Sequence, residues 1–367
     1  MKILHLIYDH INNPWIGGGG AVRAYEINKR LAMKGHEILT ISGKYPDAED
    51  YEEDNLRFNF LGSDKNYVLS VFSYVFKAIQ YLKKHAYDFD IVIEDFAPWN
   101  PVFSSFFHKN VILQLHHKEG RNILRKYFIL GLPFYLIEMF YPKLFSNIIT
   151  VSNKTRDNFR VNSAVIPNGI SEVLLYEKSL NHDYIAYIGR IDIYNKGLDV
   201  LLTAVKNIKI KILIAGKGKD ENKLTKKIKN LNITNIHFIG FLAENKKVSF
   251  ISKAKFLIMP SRFEGQGIVA LEAASMGKPV IVSDIPELRW VVEAGFGISF
   301  KSEDATDLAE KINFLLQRDD LITEMGKRGI EYAKQFTWDR IAEKYEHYLL
   351  SLHNKFSHAE NLSLKQR

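Results

Sequence analysis

The feature that most constrains this chain is a rhythm. Short apolar strands alternate with amphipathic helices, and the pattern is run through twice. In the first half the strand segments are Lys2–Ile7, Glu37–Ser42, Ile91–Glu94, Val111–His116, Asn147–Val151 and Ala164–Ile166. Helical stretches such as Ala21–Lys34, Val68–His85 and Asn153–Phe159 separate them. The second half has strand segments Tyr184–Ile188, Lys211–Ala215, Ile236–Ile239, Phe256–Met259 and Pro279–Val282. Its helices include Gly197–Ile208, Glu221–Leu231, Glu244–Ser252, Ile268–Met276, Ala305–Gln317 and Leu321–Gln335. Continuous apolar strands joined by helices predict parallel sheets covered on both faces. The expectation is an α/β fold of two Rossmann-like, doubly wound parallel-sheet domains, and 367 residues fit two domains. The joint falls at the turn tripeptide Pro167-Asn168-Gly169, so the domains cover 1–168 and 169–338. Residues 339–353 read as a closing helix, and 354–367 as a loose polar tail. Two such sheets in one chain face each other across a cleft, and ligands lie beyond the carboxyl ends of the strands. Chemistry is therefore sought just after strands.

Composition narrows the classes. With no cysteine there is no disulfide, thiolate metal site, iron–sulfur cluster or catalytic Cys, which fits a reducing, cytoplasmic compartment. Lys and Arg outnumber Asp and Glu by 50 to 42, a net charge of +8. That excess favours anionic partners such as nucleotide phosphates, acidic lipid headgroups or nucleic acid. The lysines are scattered over helix faces and form no nucleic-acid motif, so no nucleic-acid partner is expected. The first apolar run meets Asp9 and His10 too soon for a signal peptide. The longest apolar stretch, Tyr127 to Phe145, is broken by Gly131, Pro133, Glu138, Pro142 and Lys143, so no transmembrane span is expected.

Several loops after strands carry chemistry-bearing residues. Gly17-Gly18-Gly19-Gly20 follows the first strand and opens a helix; such glycines serve either as a flexible turn or as backbone N–H donors to an anion. Gly189 and Arg190 follow Tyr184–Ile188, and Lys196-Gly197 opens the next helix. An Arg fork and a Lys point charge suit a diphosphate, although one basic loop alone is equally a solvated surface. Phe256–Met259 is followed by Pro260-Ser261-Arg262-Phe263-Glu264-Gly265-Gln266-Gly267, and a helix from Ile268 carries Glu272. Carboxylates there can accept hydrogen bonds from vicinal sugar hydroxyls, while Glu272 alone could simply complement a helix N-terminus. His116 and His117 follow Val111–Leu115 and face either a cleft or solvent. Asp9, Trp15, Asp95 and Trp99 are further lining candidates by their place after strands. Gly216-Lys217-Gly218 lacks the third glycine of a dinucleotide fingerprint.

Taken together, five segments in order resemble glycosyltransferase family 4. Gly19-Gly20-Ala21-Val22-Arg23 with Lys34-Gly35-His36-Glu37 is similar to its opening glycine turn and "RGHEV" segment. Val165-Ile166-Pro167-Asn168-Gly169-Ile170 resembles "VIPNGV", and Tyr187-Ile188-Gly189-Arg190 with Asn195-Lys196-Gly197 resembles "GR…KG". Pro260-Ser261 through Glu272, then Gly277-Lys278-Pro279-Val280-Ile281-Val282-Ser283-Asp284, resembles its most diagnostic stretch. Phe336-Thr337-Trp338 resembles its closing "FSW". The resemblance implies a GT-B fold, with an acceptor-binding first domain, a nucleotide-sugar-binding second domain and a last helix that crosses back to the first. It implies a retaining, metal-independent hexosyltransferase with a nucleoside-diphosphate sugar as co-substrate, no separate cofactor, and a saccharide or lipid-linked acceptor. By position, Arg190 and Lys196 would neutralise the diphosphate and Glu272 would hold the ribose. Glu264 would contact the donor sugar. Backbone groups of Gly265, Gln266, Gly267 and Ile268 would lie near sugar and phosphate, with Gly189 beside Arg190. His116 would lie near the reacting carbon, with His117 a second choice, and Gly19 and Gly20 would face phosphates or acceptor. Gln266 stands where the family often has an aromatic residue.

The first domain shows no well-placed carboxylate nucleophile other than Glu94-Asp95, so same-face substitution without a covalent intermediate is expected. Asp88-Phe89-Asp90 resembles the Asp-x-Asp metal motif of another glycosyltransferase class, but it precedes a strand and reads as a turn. Arg121–Phe145 combines Arg121, Arg125 and Lys126 with aromatics and leucines. It is either a buried helix with a basic opening or an interfacial patch docking on the inner face of a membrane. The competing functions are a nucleotide-sugar epimerase or phosphorylase of GT-B architecture, and a non-catalytic sugar-nucleotide-binding subunit.

Overall fold

The computed structural model describes residues 1–16, 18–177 and 184–365, with side chains through residue 355. Two compact units emerge. Unit 1 is Met1–Asn168 together with Trp338–Arg367, and unit 2 is Gly169–Thr337.

Unit 1 contains β1 (Lys2–Leu6), β2 (Glu37–Gly43), β3 (Tyr51–Glu53), β4 (Leu56–Leu61), β5 (Ile91–Asp95), β6 (Val111–Leu115), β7 (Asn147–Thr150) and β8 (Ala164–Val165). Among the described residues they form one sheet in the order β3-β4-β2-β1-β5-β6-β7-β8. Every pairing is parallel except β3 with β4. That hairpin adds one antiparallel edge strand to the expected parallel sheet. Asp54 adopts φ 53° and turns the chain within two residues, too few for the crossover that a parallel neighbour needs. Tyr51 then stacks on Phe58 at 4.7 Å, a cross-strand pair that polar neighbours in sequence conceal. Leu4, Leu6, Val92, Leu113 and Leu115 supply one face of the core.

Unit 2 contains β9 (Tyr184–Ile188), β10 (Lys211–Ala215), β11 (Ile236–Gly240), β12 (Leu257–Met259), β13 (Val280–Ser283) and β14 (Gly297–Phe300). Among the described residues the order is β11-β10-β9-β12-β13-β14, and all pairings are parallel. This is the doubly wound Rossmann order, and its direction reverses between β9 and β12. In unit 1 the equivalent reversal lies between β1 and β5. Buried aliphatic side chains cover both faces of the second sheet.

The chain's last helix, Trp338–Lys365, groups with unit 1 and buries Ile341, Ala342, Tyr345, Leu349 and Leu352. Its length corrects the expectation of a loose tail from Asn354. No glycine or proline lies between Trp338 and Lys365, so nothing in the backbone ends the helix where polarity rises. The segment 121–145 is not one buried helix. It breaks into helices Asn122–Tyr127 and Leu132–Phe140 with tight turns between and after them. Among the described residues, no helix is long and apolar enough to cross a membrane.

Candidate active site

In unit 1 the reversal point gathers His5, Asp95 and His116. His5 lies inside β1, Asp95 ends β5, and His116 follows β6. Asp95 Oδ2 is 2.5 Å from His5 Nε2, and Asp95 Oδ1 pairs with His116 Nε2. Gln114 Nε2 donates to both carboxylate oxygens at 2.9 and 3.1 Å. Tyr345, from the last helix, donates to Gln114 Oε1 at 3.1 Å. Asn28 Nδ2 lies 2.9 Å from His5 Nδ1 and 2.9 Å from Thr40 Oγ1, so His5 is fixed from both sides. Burial works to raise the Asp95 pKa, but the charge and hydrogen bond of His116, then those of His5, outweigh it. The carboxyl is held well below the usual range. Asp95 is 5% exposed and both oxygens are engaged, while the His116 side chain keeps 21% of its surface open. This geometry makes Asp95 the group that orients His116.

Glu94, its neighbour, faces the other way. It accepts from Val102 N–H at 3.2 Å and from Tyr141 OH at 2.7 Å, and it pairs with the Ser104 hydroxyl. Burial raises its pKa. Glu94 therefore belongs to the structural support of the sheet. His117 points outward and pairs with Glu119 at 3.1 Å, while His116 pairs with Asp95. The helix Gly19–Met33 starts beside that ring. A Cβ on Gly20 would lie 3.5 Å from His116 Cε1 and Nε2. Asp9 Oδ2 accepts the Gly18 N–H at 2.9 Å and fixes the glycine turn; Gly17 lies outside the described residues. The motif's Arg23 is fully buried, donates to Pro167 O at 2.6 Å, and lies 5.8 Å from the Tyr345 ring centre. Burial brings its pKa down to about 10. It is an anchor for the chain's exit from unit 1. Trp99 packs on Tyr127 and Phe134, and Trp15 on Tyr67. Asp88 and Asp90 sit at the opposite strand ends, where Asp90 caps the Lys2 N–H at 2.7 Å.

In unit 2 the loops after β9 and β12 meet at the reversal point. Gly197 makes this possible. Its φ is 61°, and a Cβ there would lie 1.8 Å from the Pro260 carbonyl oxygen. The two loops are also joined by Arg262 N–H to Asn195 O at 2.9 Å. As a result Lys196 Nζ sits 2.5 Å from Glu264 Oε1, which also accepts from Ser261 Oγ at 2.8 Å. Arg190 is exposed, and among the described residues its guanidinium has no ion-pair partner. Gly216 is equally constrained: a Cβ there would lie 1.8 Å from the Gly189 carbonyl oxygen. Gly216 and Gly218 thus serve close packing of the β9 and β10 loops, since a Cβ on Gly218 would lie 2.4 Å from Ile191 O.

Gly267 caps the helix Ile268–Ser275 with φ 77° and no side-chain cap, and no acidic residue occupies the first turn. The first N–H groups are therefore left for a ligand or water. Gln266 is buried, and its carbonyl takes the Trp290 Nε1–H at 3.1 Å, which pins the loop beside Gly265. Glu272 lies beyond the first turn, so it is not there to complement the helix N-terminus. It is 12% exposed, and Lys247 Nζ lies 2.8 Å from its Oε1. Burial raises the Glu272 pKa, and Lys247 works against that rise. Lys247 and His5 were not singled out by sequence. Lys247 belongs to a helix 25 positions from its partner, with no local signal. His5 did leave one, as a polar residue inside an otherwise apolar strand.

Two family models divide the chain between them. The one described as Glycosyltransferase Family 4 matches residues 17–172, and the one described as Glycosyl transferases group 1 matches 176–336. The chain is 30% identical over 191 residues to an uncharacterized glycosyltransferase of Methanocaldococcus jannaschii, covering 52% of this chain and 54% of that one. It is 29% identical over 177 residues to N,N'-diacetylbacillosaminyl-diphospho-undecaprenol alpha-1,3-N-acetylgalactosaminyltransferase of Campylobacter jejuni, covering 47% and 46%. The matches span about half the length of these relatives. Sucrose-phosphate synthase of Thermosynechococcus elongatus superposes with a TM-score of 0.82 at 19% identity, covering 96% of this chain and 99% of that one. With its two parallel-sheet units, its matched motifs and these likenesses, the chain belongs to glycosyltransferase family 4 and has the GT-B fold.

Proposed function

We propose that the protein is a retaining hexosyltransferase. It moves a hexose from a nucleoside-diphosphate sugar to a hydroxyl of a saccharide or lipid-linked glycan, without metal, in the cytoplasm. The observation that carries this reading is the cluster of Arg190, the Lys196–Glu264 pair and an uncapped helix start at the reversal point of unit 2. A leaving diphosphate develops negative charge, which the two cations and the helix N–H groups would stabilise. Glu264 and Glu272 are carboxylates suited to sugar and ribose hydroxyls. The acceptor oxygen attacks the anomeric carbon, the bond from that carbon to the diphosphate breaks, and the acceptor proton passes to the departing phosphate oxygen. Asp95 is already held by His5, His116 and Gln114, which supports substitution on one face over attack by a protein carboxylate. The Campylobacter relative's name, with its diphospho-undecaprenol acceptor, supports a lipid-linked acceptor.

The test is release of nucleoside diphosphate from UDP-, GDP- and ADP-sugars with EDTA present. Wild type should act on one donor and give a product of unchanged anomeric configuration. Glu264→Ala and Arg190→Ala should each lose about a hundredfold or more in kcat/KM. Silence on every donor with a lipid extract as acceptor overturns the reading. Isomerisation of the donor without acceptor replaces it by an epimerase.

A further inference from the structure

We propose that unit 1 docks on an anionic lipid bilayer through an apolar surface whose tip is Phe128-Ile129-Leu130. This deepens the acceptor side of the function proposed above and rests on it only for what the bilayer would present. Those three consecutive side chains are 79%, 82% and 78% exposed. A soluble surface scatters large apolar groups singly, and a contiguous run of them marks an interaction site. The helix that follows extends the surface, with Leu132, Leu136 and Phe140 in one exposed stripe at i, i+4 and i+8. A second helix of the same unit, Tyr67–His85, carries its own exposed stripe of Val68, Phe72 and Phe76. Phe128 itself holds φ 49° and ψ −134°, a conformation that bulky residues avoid, so backbone strain is spent on presenting it.

Charge identifies the occupant. Arg121, Arg125, Lys126 and Lys143 are all exposed around the tip. The one acidic residue between 121 and 145 is Glu138, which is buried. Two copies of such a surface would bring like charges together, whereas anionic headgroups complement them. Lys126 and Lys143 lie over the rings of Tyr127 and Phe140 at 4.9 and 5.2 Å, so cation and aromatic ring share one level, as an interface between headgroups and acyl chains requires. The surface is also wired to the site. Glu138, on the helix of the apolar stripe, accepts the Glu119 and Gly120 N–H groups at 2.7 Å each, and these close the loop that His116 opens. Docking thus sets His116 at a fixed height above the bilayer.

The experiment is flotation of the full chain with vesicles of phosphatidylglycerol and phosphatidylcholine in equal parts, against pure phosphatidylcholine, without sugar donor. Wild type should float with the anionic vesicles and detach as salt is raised. The triple variants Phe128→Ser/Ile129→Ser/Leu130→Ser and Arg121→Glu/Arg125→Glu/Lys126→Glu should each weaken binding about a hundredfold. All six positions are exposed, so unchanged thermal unfolding confirms the fold. Absence of flotation, or equal flotation of the variants, overturns the proposal. Self-association without vesicles that the serine variant abolishes also overturns it and assigns the surface to a second copy. Because no donor is present, failure here leaves diphosphate release on a water-soluble acceptor unaffected, and failure of that release leaves flotation unaffected.

Discussion

Asp95 is 5% exposed, and its carboxylate acts through the side chains it holds. Its carboxylate is shared among two histidines and an amide, and that sharing fixes which nitrogen of His116 faces the protein. Asp95→Asn keeps the shape but removes the charge and one of the two acceptor oxygens that His5 and His116 use. The expected result is a fall in kcat of about tenfold to a hundredfold with little change in donor KM. His116→Ala should cost at least as much, and the double variant no more than His116→Ala alone, if the two act as one unit. Stability gives an independent check. Asp95 is ionised in the fold well below the ordinary carboxylate value of 3.8, so its contribution is intact above that value and is lost only as pH falls below it. The Tm deficit of Asp95→Asn at neutral pH should therefore close below about pH 4; a deficit that is constant with pH would show that it comes from packing instead. Sequence placed Asp95 and His116 after their strands but left their pairing unseen, because 21 residues separate them and only the sheet order makes β5 and β6 neighbours.

At the scale of elements, the strand–helix rhythm was legible wherever a strand was continuously apolar. Tyr184–Ile188, Lys211–Ala215 and Glu244–Ser252 fall where the pattern puts them. It was illegible where tertiary context does the work. β3 and β4 form around a turn at Asp54, with Tyr51 stacked on Phe58, and β14 is completed by its neighbour β13. The loops of unit 2 show what the motif glycines are for. Gly197 is the contact that lets Lys196 reach Glu264, so a Cβ there should act on the site through the backbone. Gly197→Ala combines a left-handed φ with a clash against Pro260 O. It should lower stability by about 3 kcal/mol. Donor affinity should fall with it, because the two loops must part. Calorimetry and donor titration on the same sample would decide this, and a stable variant with normal donor affinity would show that the loop contact is dispensable.

On the scale of the whole molecule, unit 1 is discontinuous and draws its closing helix from the far end of the chain. Sequence read 339–353 as a closing helix and looseness only beyond Asn354, and the first half of the helix is a structural member. Ile341, Tyr345 and Leu349 are buried, Tyr345 braces Gln114 behind Asp95, and Glu346 pairs with Lys34 at 2.5 Å and His36 at 3.0 Å. The surface pairs contribute little individually, but each fully buried aliphatic side chain is worth about 1.5–3 kcal/mol. Several such losses approach the total of about 5–15 kcal/mol that holds an ordinary domain folded. A chain ending at Thr337 should therefore lose the unit 1 unfolding transition at ordinary temperatures. It should keep that of Gly169–Thr337, whose sheet and two core faces are internal to that segment. Scanning calorimetry with limited proteolysis reads both units at once. Rapid cleavage confined to residues 1–168 is the expected pattern. Survival of both transitions would show that the sheet of unit 1 closes its core unaided. The brace on Gln114 would then be a device for the site alone, visible only in the rate of transfer.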